Sequence, residues 1–153
     1  MAAPSKNPVV IPTLDEFRTQ LRRHGLKATR QRLAVHEAMQ ELVHASADEV
    51  CEALRLRGSD LPVSSVYNIL SQMASCHIYG QRMSASNKMY FDVVGAPHLH
   101  LYDRVNDRWR DLPDSPVIAD VNKELRRHKF KGYSIEDIDI QIIARPTRKT
   151  KQI

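Results

Sequence analysis

The N-terminal half of the chain shows apolar positions at the spacing of successive α-helices. Apolar residues recur every three or four positions over Leu14–Leu21, and Gly25 follows where this helix would end. Thr29 can cap a second helix that extends to about Val43, because its hydroxyl can accept a free amide of the first turn. The pattern predicts two consecutive helices at the start of the chain.

Two further helices follow, and the first of them has clear end signals. Ser46 and Glu49 form an S-x-x-E capping box for a helix over Ala47–Leu56, and Gly58 would stop it. Apolar periodicity then predicts a fourth helix over residues 63–76.

The fourth helix carries no charged side chain, although it is amphipathic. One side is apolar, and the other presents short hydroxyls, amides and one tyrosine, at Ser64, Ser65, Tyr67 and Asn68. These groups suit the DNA major groove, where they can meet phosphates and base edges. A helix covered by another part of the protein would show the same composition, so this pattern alone leaves both interpretations open.

A predicted hairpin after the fourth helix favours the DNA-binding interpretation. Tyr79–Met83 and Lys88–Val93 are short strand-like runs around the turn-forming residues 84–87. A hairpin in this place is the wing of a winged helix-turn-helix, which is a DNA-binding architecture. The sequence therefore predicts double-stranded DNA as a partner.

Charge adds a candidate phosphate-contacting surface. The 153-residue chain has a net charge of +5 and a pI near 9.4. Between residues 18 and 32 there are six basic residues and no acidic one: Arg18, Arg22, Arg23, Lys27, Arg30 and Arg32. Such a block is either a solvated helix face or a phosphate-contacting surface. We expect a second basic cluster to be a mobile tail: Arg145, Arg148, Lys149 and Lys151.

Composition indicates a soluble, cytoplasmic protein of one medium domain or two small ones. The hydrophobic fraction of 42% can form a core. The sequence contains no run of about 18 apolar residues, and we expect no signal peptide because Met1–Pro12 has neither its basic start nor its apolar stretch. Cys51 and Cys76 form no C-x-x-C motif, so neither a zinc ribbon nor a disulfide framework is indicated. We expect both thiols to be reduced.

The second half begins with a stretch that gathers candidate metal ligands. His98 and His100 alternate with leucines, so they share one face of a predicted strand. Asn106-Asp107 can form a two-residue turn, which places Asp111 opposite Tyr102 and on the face of the two imidazoles. By itself, however, an H-x-H pair is more often a solvated surface pair.

The rest of the chain predicts a small α/β unit. We expect a helix from about Val117 to His128, with Val121 and Leu125 buried, and an isoleucine-rich strand over Tyr133–Arg145. The overall fold class is then α+β. Because three strands and one helix make a small core, the exposed sheet edge and apolar face are best explained by a homodimer.

The order and spacing of these motifs resemble the ferric uptake regulator family of metal-responsive, dimeric DNA-binding proteins. The segments LKATRQRLAVHEAM, HASADEVCEAL, VSSVYNIL and the HLH hairpin carry the resemblance, which covers about Leu14–Ile143. It implies a flexible lead (1–13), a winged-helix DNA-binding domain (14–94), a dimerisation domain (95–145) and a basic tail (146–153). It also implies a repressor, not an enzyme, that binds palindromic, A·T-rich operators.

The resemblance further implies a regulatory metal at the hinge between the two domains. In the peroxide-sensing branch the ligands are a histidine before the third helix, an aspartate ending the wing, the H-x-H pair and a later aspartate. The matching residues are His44, Asp92, His98, His100 and Asp111. This nitrogen and oxygen set favours Fe(II) or Mn(II) and tolerates Zn(II). With iron bound, the resemblance implies that peroxide oxidises His44 or His98 and releases DNA.

The chain departs from the family at the structural zinc, which most members hold with two C-x-x-C pairs. The first pair would follow the H-x-H strand, but this chain reads LYDRVNDRW there and has no cysteine after Cys76. We therefore expect no structural zinc and a dimer held by packing. The loss also resembles the haem-responsive iron response regulator branch, although neither cysteine precedes a proline as in a Cys-Pro haem motif. Haem therefore ranks below iron and manganese, and a metallo-enzyme and a regulator with a vestigial metal site stay open as weaker hypotheses.

Overall fold

The computed structural model describes residues 10–96, 98–112, 115–136 and 138–147. These residues form two compact units that divide between residues 96 and 98. The predicted N-terminal lead and basic tail, with Arg148, Lys149 and Lys151, lie largely outside the described residues. In the described chain, no helix is both long and apolar enough to cross a membrane.

Four helices build the first unit, and local sequence signals set their ends. They are α1 (Leu14–Arg23), α2 (Arg30–Leu42), α3 (Ala47–Leu56) and α4 (Val63–Ser75). The hydroxyls of Thr13, Thr29 and Ser46 each accept the amide of the third helical residue. Beyond the ends of α1 and α3, Gly25 and Gly58 take φ angles of +68° and +83°, which glycine adopts without strain.

A three-stranded antiparallel sheet completes the first unit. β2 (Gly80–Met83) and β3 (Met89–Asp92) form the predicted wing hairpin, and β1 (His44–Ala45) pairs with the other edge of β3. The sequence did not predict β1, because two residues are too few to show an alternating pattern. β1 matters for the candidate site, since it aligns residue 44 with the end of β3.

A histidine lies in the core of the first unit. The His36 ring is fully buried and stacks on Phe17, with ring centroids 4.0 Å apart. Its Nε2 lies 3.0 Å from the Pro12 carbonyl oxygen, and its Nδ1 lies 2.7 Å from the Tyr79 hydroxyl. The neutral ring satisfies both partners when Nε2 donates and Nδ1 accepts. Burial lowers the pKa of His36, although the Pro12 carbonyl acts in the opposite direction.

We expect this histidine to make the protein less stable in mild acid. In the unfolded chain His36 binds a proton near its usual pKa of about 6.5, whereas the folded chain resists protonation. The free energy of unfolding should therefore fall as the pH drops below about 6.5. Urea denaturation at several pH values measures this effect, and His36→Gln should flatten the dependence while the exposed-site control His24→Gln should not. Parallel pH dependences for wild type and His36→Gln would contradict the expectation.

The second unit is a three-stranded sheet with one helix. Its elements are β4 (His100–Asp103), β5 (Arg108–Asp111), α5 (Pro116–Arg127) and β6 (Gln141–Ala144). β4 is central, because it pairs antiparallel with β5 and parallel with β6. This topology is the small α/β unit that the sequence predicts.

Two expectations for this unit were wrong. The strand predicted over Tyr133–Arg145 is restricted to the four residues of β6, because only these pair with β4. Val121 and Leu125, predicted to be buried, are 40% and 38% exposed, since α5 buries none of its residues in the described chain. Ile142 and Ile143 of β6 are exposed as well. Exposed apolar side chains in this number are typical of a protein–protein contact.

Candidate functional site

In the first unit, a histidine and an aspartate lie side by side at the end of the wing sheet. Strand pairing sets His44 opposite Asp92. His44 Nε2 lies 3.2 Å from Asp92 Oδ2, and the Asp92 side chain is only 1% exposed. Asp92 Oδ1 accepts the Val94 amide at 2.9 Å, which fixes the orientation of the carboxylate. An imidazole and a buried, oriented carboxylate are suitable ligands for a divalent cation.

The residue before His44 has a strained backbone. Val43 has φ 63° and ψ −57°, a combination that β-branched residues rarely adopt. Its amide donates to the Met39 carbonyl at 2.8 Å, and its own carbonyl accepts from Val93 at 2.9 Å. Such strain costs about 1–3 kcal/mol and clusters at functional sites. Here the strained residue turns the chain from α2 into β1 and so places His44 beside Asp92.

In the second unit, two histidines and an aspartate converge on one face of the sheet. His98 Nε2 and His100 Nε2 lie 3.0 Å and 3.4 Å from Asp111 Oδ1. The two imidazole centroids are 4.0 Å apart. One ligand atom of each of the three residues lies within 4.8 Å of the others. The three side chains are at most 6% exposed, so this group is sheltered from solvent.

The hairpin register differs from the predicted one. His100, and not Tyr102, lies opposite Asp111. The expected two-residue turn was wrong, because the loop has four residues, 104–107. The Asp103 carboxylate accepts the amides two and three positions ahead, at 2.9 Å and 3.1 Å, and ends the strand early. A register change of two residues keeps every side chain on its face, so Asp111 still shares the face of both imidazoles.

The donor atoms of the two groups fit a divalent metal. They comprise imidazole nitrogens and carboxylate oxygens on sheltered side chains, a set suited to Fe(II), Mn(II) or Zn(II). Neither Cys51 nor Cys76 belongs to these groups. The two groups belong to different units.

Helix α4 presents its polar face at the surface of the first unit. Val66, Leu70, Met73 and Ala74 enter the core. Ser64, Tyr67 and Asn68 are exposed, and Ser65 is half-buried. Tyr67 is 44% exposed and rests edge-on against Phe91 of β3, with ring centroids 5.9 Å apart. Within the described first unit, these side chains are therefore available to a nucleic acid.

The basic block divides into surface and supporting side chains. Five of its six members are exposed: Arg18, Arg22, Arg23, Lys27 and Arg30. Arg18 pairs with Asp15 at 3.0 Å. Arg32 is half-buried, and its guanidinium donates to Gln72 Oε1 of α4 at 2.9 Å and to the Lys27 carbonyl at 2.7 Å. Arg32 therefore connects the first turn of α2 to α4 by a hydrogen bond.

Two residues that shape these sites were missed in the sequence. Gln72 accepts a hydrogen bond from Arg32, and the two residues are 40 positions apart in the sequence, so no local pattern indicates the contact. Val43 was read as the end of a helix, and an apolar residue there gives no signal of a positive φ. The hydrogen bond of Gln72 and the backbone angle of Val43 reveal these roles, which no sequence motif indicates.

Comparison with known sequences identifies a regulator family. A model of the Ferric uptake regulator family matches residues 23–143. Ferric uptake regulation protein 1 of Mycolicibacterium fortuitum is 38% identical over 90 residues, which are 58% of this chain and 56% of that protein. Transcriptional regulator FurA of Mycobacterium tuberculosis is 29% identical over 111 residues, which are 72% of this chain and 69% of that protein. The chain thus matches little more than half the length of the first relative.

Solved structures share the fold at low sequence identity. The Ferric uptake regulator of Pseudomonas aeruginosa, solved with manganese, has a TM-score of 0.69 at 23% identity, covering 86% of this chain and 98% of that chain. The Vibrio cholerae ferric uptake regulator has a TM-score of 0.67 at 22% identity, covering 85% and 99%. The Francisella tularensis regulator, solved with iron, has a TM-score of 0.61 at 23% identity, covering 80% and 92%.

Fold and comparisons together define the class of protein. The architecture is α+β, with an N-terminal winged-helix unit and a small C-terminal α/β unit, which confirms the predicted fold class. Because the family model matches most of the chain, the protein belongs to the ferric uptake regulator family. Members of this family are dimeric, metal-responsive transcriptional regulators and not enzymes. The metallo-enzyme hypothesis is thereby set aside.

Proposed function

We propose that the chain is a dimeric repressor whose DNA binding depends on one metal ion shared by the two ligand groups. Strand pairing carries the proposal, because it sets His44 opposite Asp92 in one unit and His100 opposite Asp111 in the other. The first group supplies two ligand residues and the second supplies three. Divalent metals in proteins take four to six ligands, so ligands from both groups would complete the coordination of one ion.

The proposed centre joins the DNA-binding domain to the dimerisation domain. His44 and Asp92 would hold the ion from the first domain, and His98, His100 and Asp111 from the second. A bound divalent cation supplies the positive charge that all five donors can share. Because the ligands lie on both sides of the short connection 93–97, joint ligation restricts the motion of one domain relative to the other. This restriction lowers the ordering cost of DNA binding.

We infer Fe(II) or Mn(II) as the metal, because the donor set mixes imidazoles with carboxylates. Zn(II) should also bind in vitro. The relatives from Pseudomonas aeruginosa and Francisella tularensis, solved with manganese and iron, support this choice. Haem is the alternative ligand.

Peroxide sensing is a second candidate function, supported by the carboxylate of Asp111 within 3.4 Å of both imidazole nitrogens. In the iron-loaded protein, one peroxide oxygen would enter a ring C–H bond of His44 or His98, and the other would leave as water. Mass spectrometry should then find one additional oxygen atom on a peptide containing either histidine. An unchanged mass after peroxide treatment of the iron form would rule this function out.

The proposed DNA contacts follow from the exposed faces. Polar side chains of α4 would enter the major groove: Ser64, Ser65, Tyr67 and Asn68. The exposed basic residues would contact phosphates: Arg18, Arg22, Arg23, Lys27 and Arg30. The exposed apolar side chains of α5 and β6 would pair two copies of the chain. Two-fold symmetry then requires a palindromic operator, which we propose to be A·T-rich.

Arg32 and Arg30 should affect DNA binding in different ways. Each phosphate contact adds about 0.9 to the slope of log affinity against log salt. We expect Arg30→Ala to reduce this slope by about that amount. Arg32→Ala should weaken binding at every salt concentration without changing the slope, because Arg32 supports α4 through Gln72. Fluorescence anisotropy across a salt series measures both effects, and a reduced slope for Arg32→Ala would show that Arg32 contacts phosphate.

DNA binding with and without metal tests the proposed function. A duplex selected from a random pool by the Mn(II)-loaded protein serves as the probe, with a scrambled duplex as control. We expect specific binding in anaerobic Mn(II), its loss on adding EDTA and its return with fresh Mn(II). DNA binding that EDTA does not affect would indicate a regulator with a vestigial metal site. Binding restored by haem but not by Mn(II) would favour a haem-responsive regulator.

A further inference from the structure

The β4–β5 hairpin carries two cross-strand pairs on the face that holds the candidate ligands. One pair is His100 with Asp111, and the next towards the loop is Tyr102 with Trp109. The Tyr102 and Trp109 rings stack with centroids 4.5 Å apart, and both residues are buried. Cross-strand aromatic pairs stabilise the register in which they form. The aromatic pair therefore stabilises the same register that sets His100 opposite Asp111.

The loop that joins these strands is held by its own side chains. Asp103 Oδ1 accepts the amides of Val105 and Asn106 at 2.9 Å and 3.1 Å, and its Oδ2 accepts Asn106 Nδ2 at 2.7 Å. The Tyr102 hydroxyl donates to Asp107 Oδ1 at 2.5 Å, and Asp107 takes a φ of 56°. These contacts close a four-residue loop directly after β4.

The sequence allows a second register, and that register separates the ligands. A two-residue turn at Asn106-Asp107 would place Asp111 opposite Tyr102 instead of His100. The displacement is two residues, or about 7 Å along the strand. Because a shift of two residues keeps all side chains on their faces, hydrophobic patterning does not select between the registers. The loop contacts and the aromatic stack form in the observed register, so they favour it.

We propose that Asp103 and the Tyr102–Trp109 stack are positioning residues for the metal centre, which they assemble by selecting the hairpin register. This inference rests on the proposed function and adds to it residues that are not themselves ligands. Asp103 lies on the opposite face of β4 from the imidazoles, because neighbouring residues of a strand alternate. Its effect on the centre therefore acts through the position of Asp111.

Two substitutions at Asp103 separate positioning from charge. Asp103→Ala removes the acceptor of both loop amides, whereas Asp103→Asn removes the charge and keeps an oxygen that can accept them. We expect Asp103→Ala to lower Mn(II) affinity roughly 10- to 100-fold, as is typical for residues that orient metal ligands. Asp103→Asn should restore most of the affinity. Isothermal titration calorimetry of the full chain with Mn(II) alone measures the affinity of both variants.

The register itself can be observed without metal. Leu112 donates to the Leu99 carbonyl at 2.9 Å, so the alternation of an antiparallel ladder makes Tyr102–Trp109 a closely spaced pair. NMR of the metal-free protein should show a strong Hα–Hα contact between Tyr102 and Trp109 in wild type and Asp103→Asn, and its weakening or loss in Asp103→Ala. Folded Asp103→Ala protein that keeps both this contact and full Mn(II) affinity would overturn the proposal.

Two mixed outcomes also discriminate. Loss of Mn(II) affinity in Asp103→Ala with the Tyr102–Trp109 contact intact would overturn positioning by register, since affinity would then depend on something else. Equal losses in both variants would assign the effect to charge and likewise overturn it. Failure of the proposed function is distinguishable, because wild type would then bind no Mn(II) whichever register the NMR contacts report.

Discussion

A His100→Ala protein is expected to bind DNA no better in Mn(II) than in EDTA. His100 is 1% exposed and lies opposite Asp111, so alanine would remove a buried nitrogen ligand of the proposed centre. Replacing a residue that merely orients a ligand costs roughly 10- to 100-fold in metal affinity, and loss of the ligand should cost more. Anisotropy with the selected duplex, together with Mn(II) titration, measures both effects.

The matched control for this substitution is His128→Ala. His128 lies at the end of α5 with a side chain that is 58% exposed, and it belongs to neither ligand group. We expect its Mn(II) affinity and DNA binding to equal those of wild type. Circular dichroism establishes whether the His100→Ala protein remains folded, and His100→Gln provides a variant with a smaller loss of volume. Metal-dependent DNA binding that survives in folded His100→Ala would exclude His100 as a ligand.

A Gly95→Ala protein is expected to lose stability in the first unit. A Cβ at residue 95 would lie 2.2 Å from the His77 carbonyl oxygen and 2.7 Å from that of Ile78, both backbone atoms. Overpacking costs typically 1–3 kcal/mol, and the cost here should lie towards the upper end because backbone yields less readily than a side chain. The displaced segment follows Asp92 directly, so Mn(II) affinity should fall as well.

Gly80→Ala is the control for Gly95→Ala. Its Cβ would lie 3.4 Å from the Asp92 Cβ, an ordinary van der Waals distance, in the neighbouring strand of the same sheet. Urea denaturation of wild type and both variants gives the free energies of unfolding. We expect a substantial loss only for Gly95→Ala. Equal stability of the two variants would show that the chain relaxes around residue 95 without cost.

The helices of the first unit were predictable because their signals are local. Thr29, Ser46 and Gly58 lie within one turn of the helix ends that they set, so neighbouring residues suffice to reveal the ends. The short strand β1 was not predictable in this way. It exists because Val43 turns the chain and because β3 offers a free edge, and both conditions come from residues distant in sequence.

The grouping of the candidate ligands was predictable, but their geometry was predictable only in part. Strand alternation correctly put Asp111 on the same face as His98 and His100, because a register change of two residues leaves each side chain on its face. The predicted hairpin register was wrong, because the Asp103 side chain, and not the Asn106-Asp107 dipeptide, determines the loop. Side-chain hydrogen bonds to loop amides compete with standard turns, and the residue types alone do not show which prevails.

Whether the apolar face of α5 is buried could not be predicted from the sequence of one chain. An apolar stripe that includes Val121 and Leu125 predicts a covered face, yet the described chain leaves these residues well exposed. Periodicity reports that a face is apolar, but not whether the same chain or a second copy covers it. The proposed dimer would explain the exposed apolar face, because a second copy of the chain would cover it.

The central claim is that the two ligand groups form one metal centre, and Mn(II) stoichiometry tests it most directly. Equilibrium dialysis under anaerobic conditions would compare wild type with one variant in each group, His44→Ala and His98→Ala. We predict about one Mn(II) per wild-type chain and loss of that ion in both variants, because both groups would ligate the same ion. Two ions per wild-type chain, with each variant losing only one, would contradict a shared centre.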